Sequence, residues 1–245
     1  MDSEVKQAVR SRYAGIANQL AVLNTSESCC GPDGCGCDST YSAEELSQIG
    51  LDESVSLGCG NPAALAELRP GEDVLDLGSG AGLDVLLSAR RVSPGGHAYG
   101  LDMTDEMLAL ANSNRDRAGQ TNATFLKGSI DEIPLADGSV DVIISNCVIN
   151  LAEDKGKVIR EAFRVLRPGG RLAVADMVEL ETLSPEVKKR LDSWAGCISG
   201  TIPVDDYRAA LEGAGFADVT FDVHSTQDLP GTGKVGSAYI RARRP

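Results

Sequence analysis

An α/β fold wound around a parallel sheet is what this 245-residue sequence predicts. Two observations carry that expectation. From residue 73 onward, short apolar runs of strand character alternate with stretches of helical character. The first such run, DVLDL, is followed directly by a glycine-rich loop and then by a helix-forming segment. Strand–helix alternation of this kind implies parallel strands joined by right-handed crossovers.

The elements follow in order. Val5, Val9, Tyr13, Ile16 and Leu20 recur at helical spacing and predict an amphipathic N-terminal helix. A Gly/Ser/Asp/Cys-rich loop runs to about Tyr41, a short helix starts at Ser42, and Pro62 opens another over AALAEL. Strands are predicted at 73–77 (DVLDL), 97–102 (HAYGLD), 123–127 (ATFLK), 141–146 (DVIISN) and in RLAVAD after the Pro168-Gly169-Gly170 turn. Helices fill the gaps: one through Val92, one capped by Thr104 with Asp105 and Glu106 in its first turn, and one from Glu153 to Leu166. The remainder predicts helices at about 184–196 and 204–214, then strands VTFDV and SAYIRA.

Composition bounds the function. Lys and Arg number 23 against 36 Asp and Glu, a net charge of −13. Nucleic acid and anionic membranes are poor partners for such a chain, because phosphate contacts need a basic face. No apolar run has the length of a transmembrane helix, and the N-terminal segment lacks the apolar stretch of a secretory signal. A cytoplasmic, reducing location is the expectation, in which the seven cysteines are read as reactive or ligand-binding rather than as staples.

VLDLGSGAGLD places Gly78, Gly80 and Gly82 after the first strand, at the carboxyl edge where open α/β sheets bind ligands. Leu83 breaks the dinucleotide fingerprint and Asp76 would repel a pyrophosphate, so a nucleoside without phosphates suits the loop better. Asp102, ending the second strand, is placed to accept from two ribose hydroxyls. D-L-G-S-G-A-G, L-D-M and V-L-R-P-G-G together resemble class I S-adenosylmethionine-dependent methyltransferases. The resemblance covers about residues 70–222. It implies a Rossmann-like fold, a seven-stranded mostly parallel sheet with an antiparallel last strand and helices on both faces. It implies S-adenosyl-L-methionine as methyl donor, bound by Asp76, Gly78, Ser79, Gly80, Gly82, Asp102, Met103 and Ile130. Ser129 departs from the pattern, standing where many such enzymes carry an acidic residue toward the adenine.

The nucleophile is the remaining question. His97 and His224 lie away from the expected methyl, and no carboxylate stands out as a base. Cys147, in SNCVINL, ends the fourth strand beside the cofactor loop; Cys59 lies in LGCGNP and Cys197 in WAGCISG. Each alone reads more readily as a small buried hydrophobe. Together, three thiolates over a cofactor pocket would bind a soft three-coordinate ion. Zinc prefers a fourth ligand, whereas trivalent arsenic accepts three sulfurs and keeps a lone pair that needs no base.

At these points the sequence resembles the arsenite S-adenosylmethionine methyltransferases, from VKQAVRSRYAGIA through LGCGNP and SNCVINL to WAGCISG and DYRAALEGAGF. The resemblance implies that As(III), as arsenite or its glutathione conjugates, is held by Cys59, Cys147 and Cys197. Cys29 and Cys30 are further candidate thiols, for receiving arsenic or resolving a disulfide with Cys59. It also implies successive methylation in arsenic detoxification, with thioredoxin or glutathione as reductant. The roles of Cys35 and Cys37 stay open, and the chain is shorter at its C-terminus than many relatives. The domain reading is an N-terminal helix, Cys-rich loop and cap segment over 1–69, then a methyltransferase domain over 70–245 with an arsenic-binding insertion around 177–203. The competing readings are a ubiquinone/menaquinone-type small-molecule methyltransferase and a thiol-rich metalloid-binding protein.

Overall fold

The structure, a computed structural model, describes residues 3–22, 41–51, 58, 60–188, 198–229 and 233–245. Its centre is a seven-stranded sheet in the order β3-β2-β1-β4-β5-β7-β6. The strands are β1 (Asp73–Leu77), β2 (His97–Asp102), β3 (Ala123–Lys127), β4 (Val140–Asn146), β5 (Leu166–Glu181), β6 (Ala217–Leu229) and β7 (Gly233–Arg243). β1 to β5 pair in parallel, and β7 inserts antiparallel between β5 and β6. Chain order reverses at β1, which lies between β2 and β4, so a crevice opens at the carboxyl ends of these three strands.

The helices are α1 (Glu4–Val22), α2 (Ala43–Ile49), α3 (Pro62–Leu65), α4 (Leu83–Arg91), α5 (Asp105–Ala118), α6 (Lys155–Val165), α7 (Pro185–Lys188) and α8 (Val204–Gly213). A 3-10 turn covers Ile149–Leu151. Leu75, Ile143, Leu172 and Val174 meet Val158, Ile159 and Leu211 of α6 and α8 in the largest apolar cluster. Leu83, Leu86 and Ala98 meet Leu46 and Ile49 of α2 in a second, and Ala63 and Leu65 of α3 cover Val74, Val142 and Ile144 in a third. Aliphatic side chains fill these layers, as a sequence with 4% aromatic residues requires.

The first three strands fall on the residues the sequence predicts. Elsewhere the structure corrects the boundaries. β5 runs well past RLAVAD because its outer half pairs with β7. VTFDV and SAYIRA are the centres of a longer hairpin, whose outer β6 residues are largely exposed and carry little apolar periodicity. α3 is a single turn rather than the whole of AALAEL, with Asn61 capping it by accepting from the Ala64 N–H at 2.9 Å. Thr104 holds the N-cap position of α5, but its side chain makes no cap bond. Its N–H donates instead to Asp102 Oδ1 at 2.8 Å. α6 starts two residues later than predicted, where Asp154 accepts from the Lys157 N–H. Of the helix predicted at 184–196, Pro185–Lys188 is described and the rest lies outside the described residues.

Candidate functional site

A cavity of about 260 Å³ occupies the crevice. Its floor is the turn after β1, where Gly78 and Gly80 have φ of +72° and +50°. Only residues tolerant of left-handed backbone fold this way. A Cβ on Gly78 would lie 2.3 Å from Val148 Cγ2, so the loop packs closely under the 147–151 turn. Ser79 also lines the cavity; it is 8% exposed, and its Oγ has no hydrogen-bond partner among the described residues. A buried hydroxyl facing a cavity without a partner is the mark of a place where a polar ligand completes the bonding.

Asp102, at the end of β2, turns its carboxylate back over this loop. Oδ2 accepts from the Gly80 N–H at 3.0 Å while Oδ1 accepts from Thr104. Burial pushes its pKa up, and the backbone donors from Thr104, Gly80 and Met103 hold it down. Each oxygen keeps a lone pair for a further donor. Met103, Leu101, Ile130 and Val148 give the same cavity apolar walls. The backbone places Gly82 differently from its neighbours: it is the N-cap of α4 at φ +89°, and a Cβ there would meet the Phe125 ring at 2.6 Å. It does not line the cavity. Its glycine serves helix–sheet packing.

The deeper end is acidic. Asp76 closes β1 at 3% exposure and Asp84 sits in the first turn of α4 at 7%. The Tyr41 hydroxyl donates to Asp84 at 2.9 Å, and Asn146 Nδ2 donates to Tyr41 Oη at 3.1 Å and to the Gly60 carbonyl at 2.7 Å. Burial pushes Asp84 up to about 6, partly offset by the Tyr41 and Asn146 hydrogen bonds. Burial, then Asp84 and Asp102, pushes Asp76 well up. Tyr41 is also driven well above its ordinary value by burial and the Asp84 charge.

Tyr41, Asp84 and Asn146 were not among the candidates the sequence offered. Asp84 reads as an ordinary acidic residue in a helix's first turn, and its partner Tyr41 is 43 residues away. Asp131 was missed as well. Its carboxylate accepts from the Ser129 hydroxyl and pairs with Lys6 of α1 at 3.4 Å and Lys157 of α6 at 3.5 Å. Burial raises its pKa, but Ser129, Lys6 and Lys157 outweigh that and hold it below the usual carboxylate range. Ser129 thus carries an acidic group beside it, although it is not acidic itself.

Cys147 is 7% exposed, packs with Val9 and Leu151, and lines the cavity. It adopts φ +58°, rare for a residue with a side chain, while its N–H donates to the Ala175 carbonyl at 2.8 Å. It is disulfide-bonded in this structure. Cys29, Cys30, Cys35, Cys37, Cys59 and Cys197 lie outside the described residues. Among the described residues no cluster of three His, Cys, Asp or Glu side chains is arranged to hold a metal. His97 bonds Thr124 and His224 stacks on Tyr239, and neither lines the cavity. No helix among the described residues is long and apolar enough to cross a membrane.

Residues 68–215 match the family model described as a methyltransferase domain. The chain is 42% identical over 233 residues to an arsenite methyltransferase of Halobacterium salinarum, covering 88% of this chain and 58% of that protein. The crystal structure of an arsenic(III) S-adenosylmethionine methyltransferase from Chlamydomonas reinhardtii superposes with a TM-score of 0.70 at 30% identity, over 82% of this chain and 73% of that one. A ubiquinone/menaquinone biosynthesis C-methyltransferase of Vibrio parahaemolyticus is 39% identical over 120 residues, 47% of this chain and 46% of that protein. The chain spans about three fifths of the length of the curated arsenite methyltransferases it matches.

Proposed function

We propose, for a chain that belongs to the arsenite S-adenosylmethionine methyltransferase family, that it methylates trivalent arsenic held by cysteine thiolates. The observation that supports this most is the position of Cys147 on the wall of the same cavity as the Gly78–Gly80 turn and Asp102.

The cavity fits S-adenosyl-L-methionine on its own features. The Asp102 lone pairs suit a ribose diol, and the apolar walls at Met103 and Ile130 suit the adenine. The unpartnered Ser79 hydroxyl and the acidic end suit the amino-acid part. Bound there, S-adenosylmethionine supplies an electrophilic methyl group on a positively charged sulfur. Asp102 fixes the ribose end through its anchored carboxylate. Tyr41, Asp84 and Asn146 form a rigid hydrogen-bonded wall opposite the glycine loop. The 147–151 turn presents Cys147 from a backbone that Ala175 and the packing of Val148 over Gly78 hold in place.

Cys147 in its reduced form, with Cys59 and Cys197, would grip As(III) through three sulfurs and leave its lone pair open. Such a nucleophile has no proton to lose, which agrees with a cavity that no histidine lines. Methylation formally oxidises arsenic by two electrons. Two thiols, Cys29 and Cys30 being candidates beside Cys59, would return those electrons as they join in a disulfide. Thioredoxin or glutathione would then reduce it. On this reading the N-terminal segment over 1–69 supplies thiols and the region around 177–203 an arsenic-binding insertion.

The quinone-type C-methyltransferase reading rests on a match over half the chain, and it leaves Cys147 without a role. Incubation with arsenite, S-adenosylmethionine and a thiol reductant, followed by arsenic speciation, separates the readings. Methylated arsenicals are the expected products; unmodified arsenite alone would overturn the proposal.

A further inference from the structure

The turn that carries Cys147 is held from β5 on both sides. Upstream, the Cys147 N–H donates to the Ala175 carbonyl at 2.8 Å. Downstream, Asn150 lies fully buried in the 3-10 turn, where its Nδ2 donates to Asp176 Oδ1 at 2.7 Å and to the Met177 carbonyl at 2.6 Å. Both amide hydrogens are thereby used, and both acceptors belong to the strand that pairs with β4. The reversed amide would set Oδ1 against a carboxylate and a carbonyl, so the nitrogen must face this way. Lys155 adds a second tie from the first turn of α6. It is 9% exposed, and its Nζ donates to the Asn150 carbonyl at 3.3 Å and to the Ala152 carbonyl at 2.9 Å. Between these ties stands Cys147 at φ +58°, a backbone state that relaxes unless its surroundings hold it. Asn150 Oδ1 has no partner among the described residues. A buried amide is penalised by desolvation that a leucine would escape, so packing alone does not call for asparagine here.

We propose that Asn150 is a positioning residue for the Cys147 thiol: its two bonds to Asp176 and Met177 fix the 147–151 turn, and with it the place of the thiol on the cavity wall. The consequence for methyl transfer rests on the thiolate reading above; the tie itself does not. Met177 also packs on the cluster of Val9, Cys147 and Leu151, so Asn150 holds a residue that borders the thiol as well as the turn that carries it. The tie is indifferent to the charge of Asp176. Its acceptor is Oδ1, and a proton on the unpartnered Oδ2 leaves that bond in place. The groups assigned to the cofactor, Ser79, Gly80 and Asp102, make none of these bonds. Losing the tie therefore displaces the thiol more than it weakens cofactor binding.

The test compares the natural protein with Asn150→Leu, which keeps the bulk and removes both donors, each fully reduced. Iodoacetamide is pulsed at urea concentrations from zero to about 1 M, below unfolding, and labelling of the Cys147 peptide is followed by mass spectrometry. Labelling should be about tenfold faster in the variant and independent of urea, as local opening of the turn requires. A merely structural role would give labelling that climbs with urea, following global unfolding. With arsenite, S-adenosylmethionine and a thiol reductant, kcat should fall about tenfold while the KM for S-adenosylmethionine stays within about threefold. Asp176→Leu, which removes one acceptor, should speed labelling in the same direction, and Asp176→Asn, which keeps it, should restore the natural rate. If Asn150→Leu does not fold, the two Asp176 variants decide. Natural labelling in the variants that lose the tie, labelling that only follows urea, or a loss confined to KM overturns the proposal. A natural protein that makes no methylated arsenic overturns the substrate reading instead, and the labelling still decides the tie.

Discussion

Asp176, within β5, offers a quantitative test of how burial sets the energetics beside the site. Its carboxyl is fully buried, with Oδ1 accepting from Asn150 Nδ2 at 2.7 Å and from the Met177 N–H, while Oδ2 has no hydrogen-bond partner among the described residues. Desolvation pushes its pKa from the ordinary 3.8 to about 7, although the Met177 and Asn150 bonds and the Lys155 charge pull the other way. The native state therefore holds this proton where the unfolded chain has lost it. A raised carboxylate pKa favours folding at low pH, and the benefit disappears as pH climbs from about 4 to about 7. The rise corresponds to about 4 kcal/mol. Asp176→Asn keeps the shape and both acceptor bonds but cannot ionise. Its stability relative to the natural protein should improve by about 3 kcal/mol between pH 4.5 and pH 8, most of it between pH 5 and 7. Urea denaturation of both proteins across that range reads the difference. Parallel stability curves would refute the reasoning, because they would mean that Asp176 carries no buried-charge penalty.

The cofactor loop and the segment behind Ile130 give two further expectations. Gly78→Ala must clear both φ +72° and an overlap with Val148, so cofactor affinity measured by calorimetry should fall by more than tenfold. Gly80→Ala meets only Met107 Sδ at 3.9 Å and should cost about 1 kcal/mol of backbone strain alone, read by thermal melting. Arg164 of α6 ties the 128–138 loop with bonds to the Ile133 and Leu135 carbonyls, Asp137 and Glu161. Arg164→Met should destabilise the fold by about 2 kcal/mol and loosen cofactor binding, seen in denaturation and titration.

Much of this architecture was legible in the sequence, for identifiable reasons. β1, β2 and β3 are short strand-forming runs bounded by turn residues, β1 largely buried and β3 only partly, so their limits follow from composition. Gly78, Gly80, Asp102 and Cys147 sit at strand ends, and strand ends in an open parallel sheet converge on one edge. What stayed hidden depends on long-range contact. Nothing local distinguishes Asp84 from a solvent-facing acid in a first helical turn, and only the fold brings Tyr41 and Asn146 onto it. Gly82 carries the motif's spacing yet packs against Phe125, because the motif marks the turn and not which way each residue faces. The outer halves of β6 and β7 escaped notice because hairpin pairing, rather than apolar alternation, holds them.

The thiolate account is tested most directly at Cys147. Cys147→Ser should bind S-adenosylmethionine with natural affinity, since the cofactor floor is built by Gly78, Ser79, Gly80 and Asp102. It should yield no methylated arsenic from arsenite and a thiol reductant. Methylation at the natural rate in that variant would contradict the account.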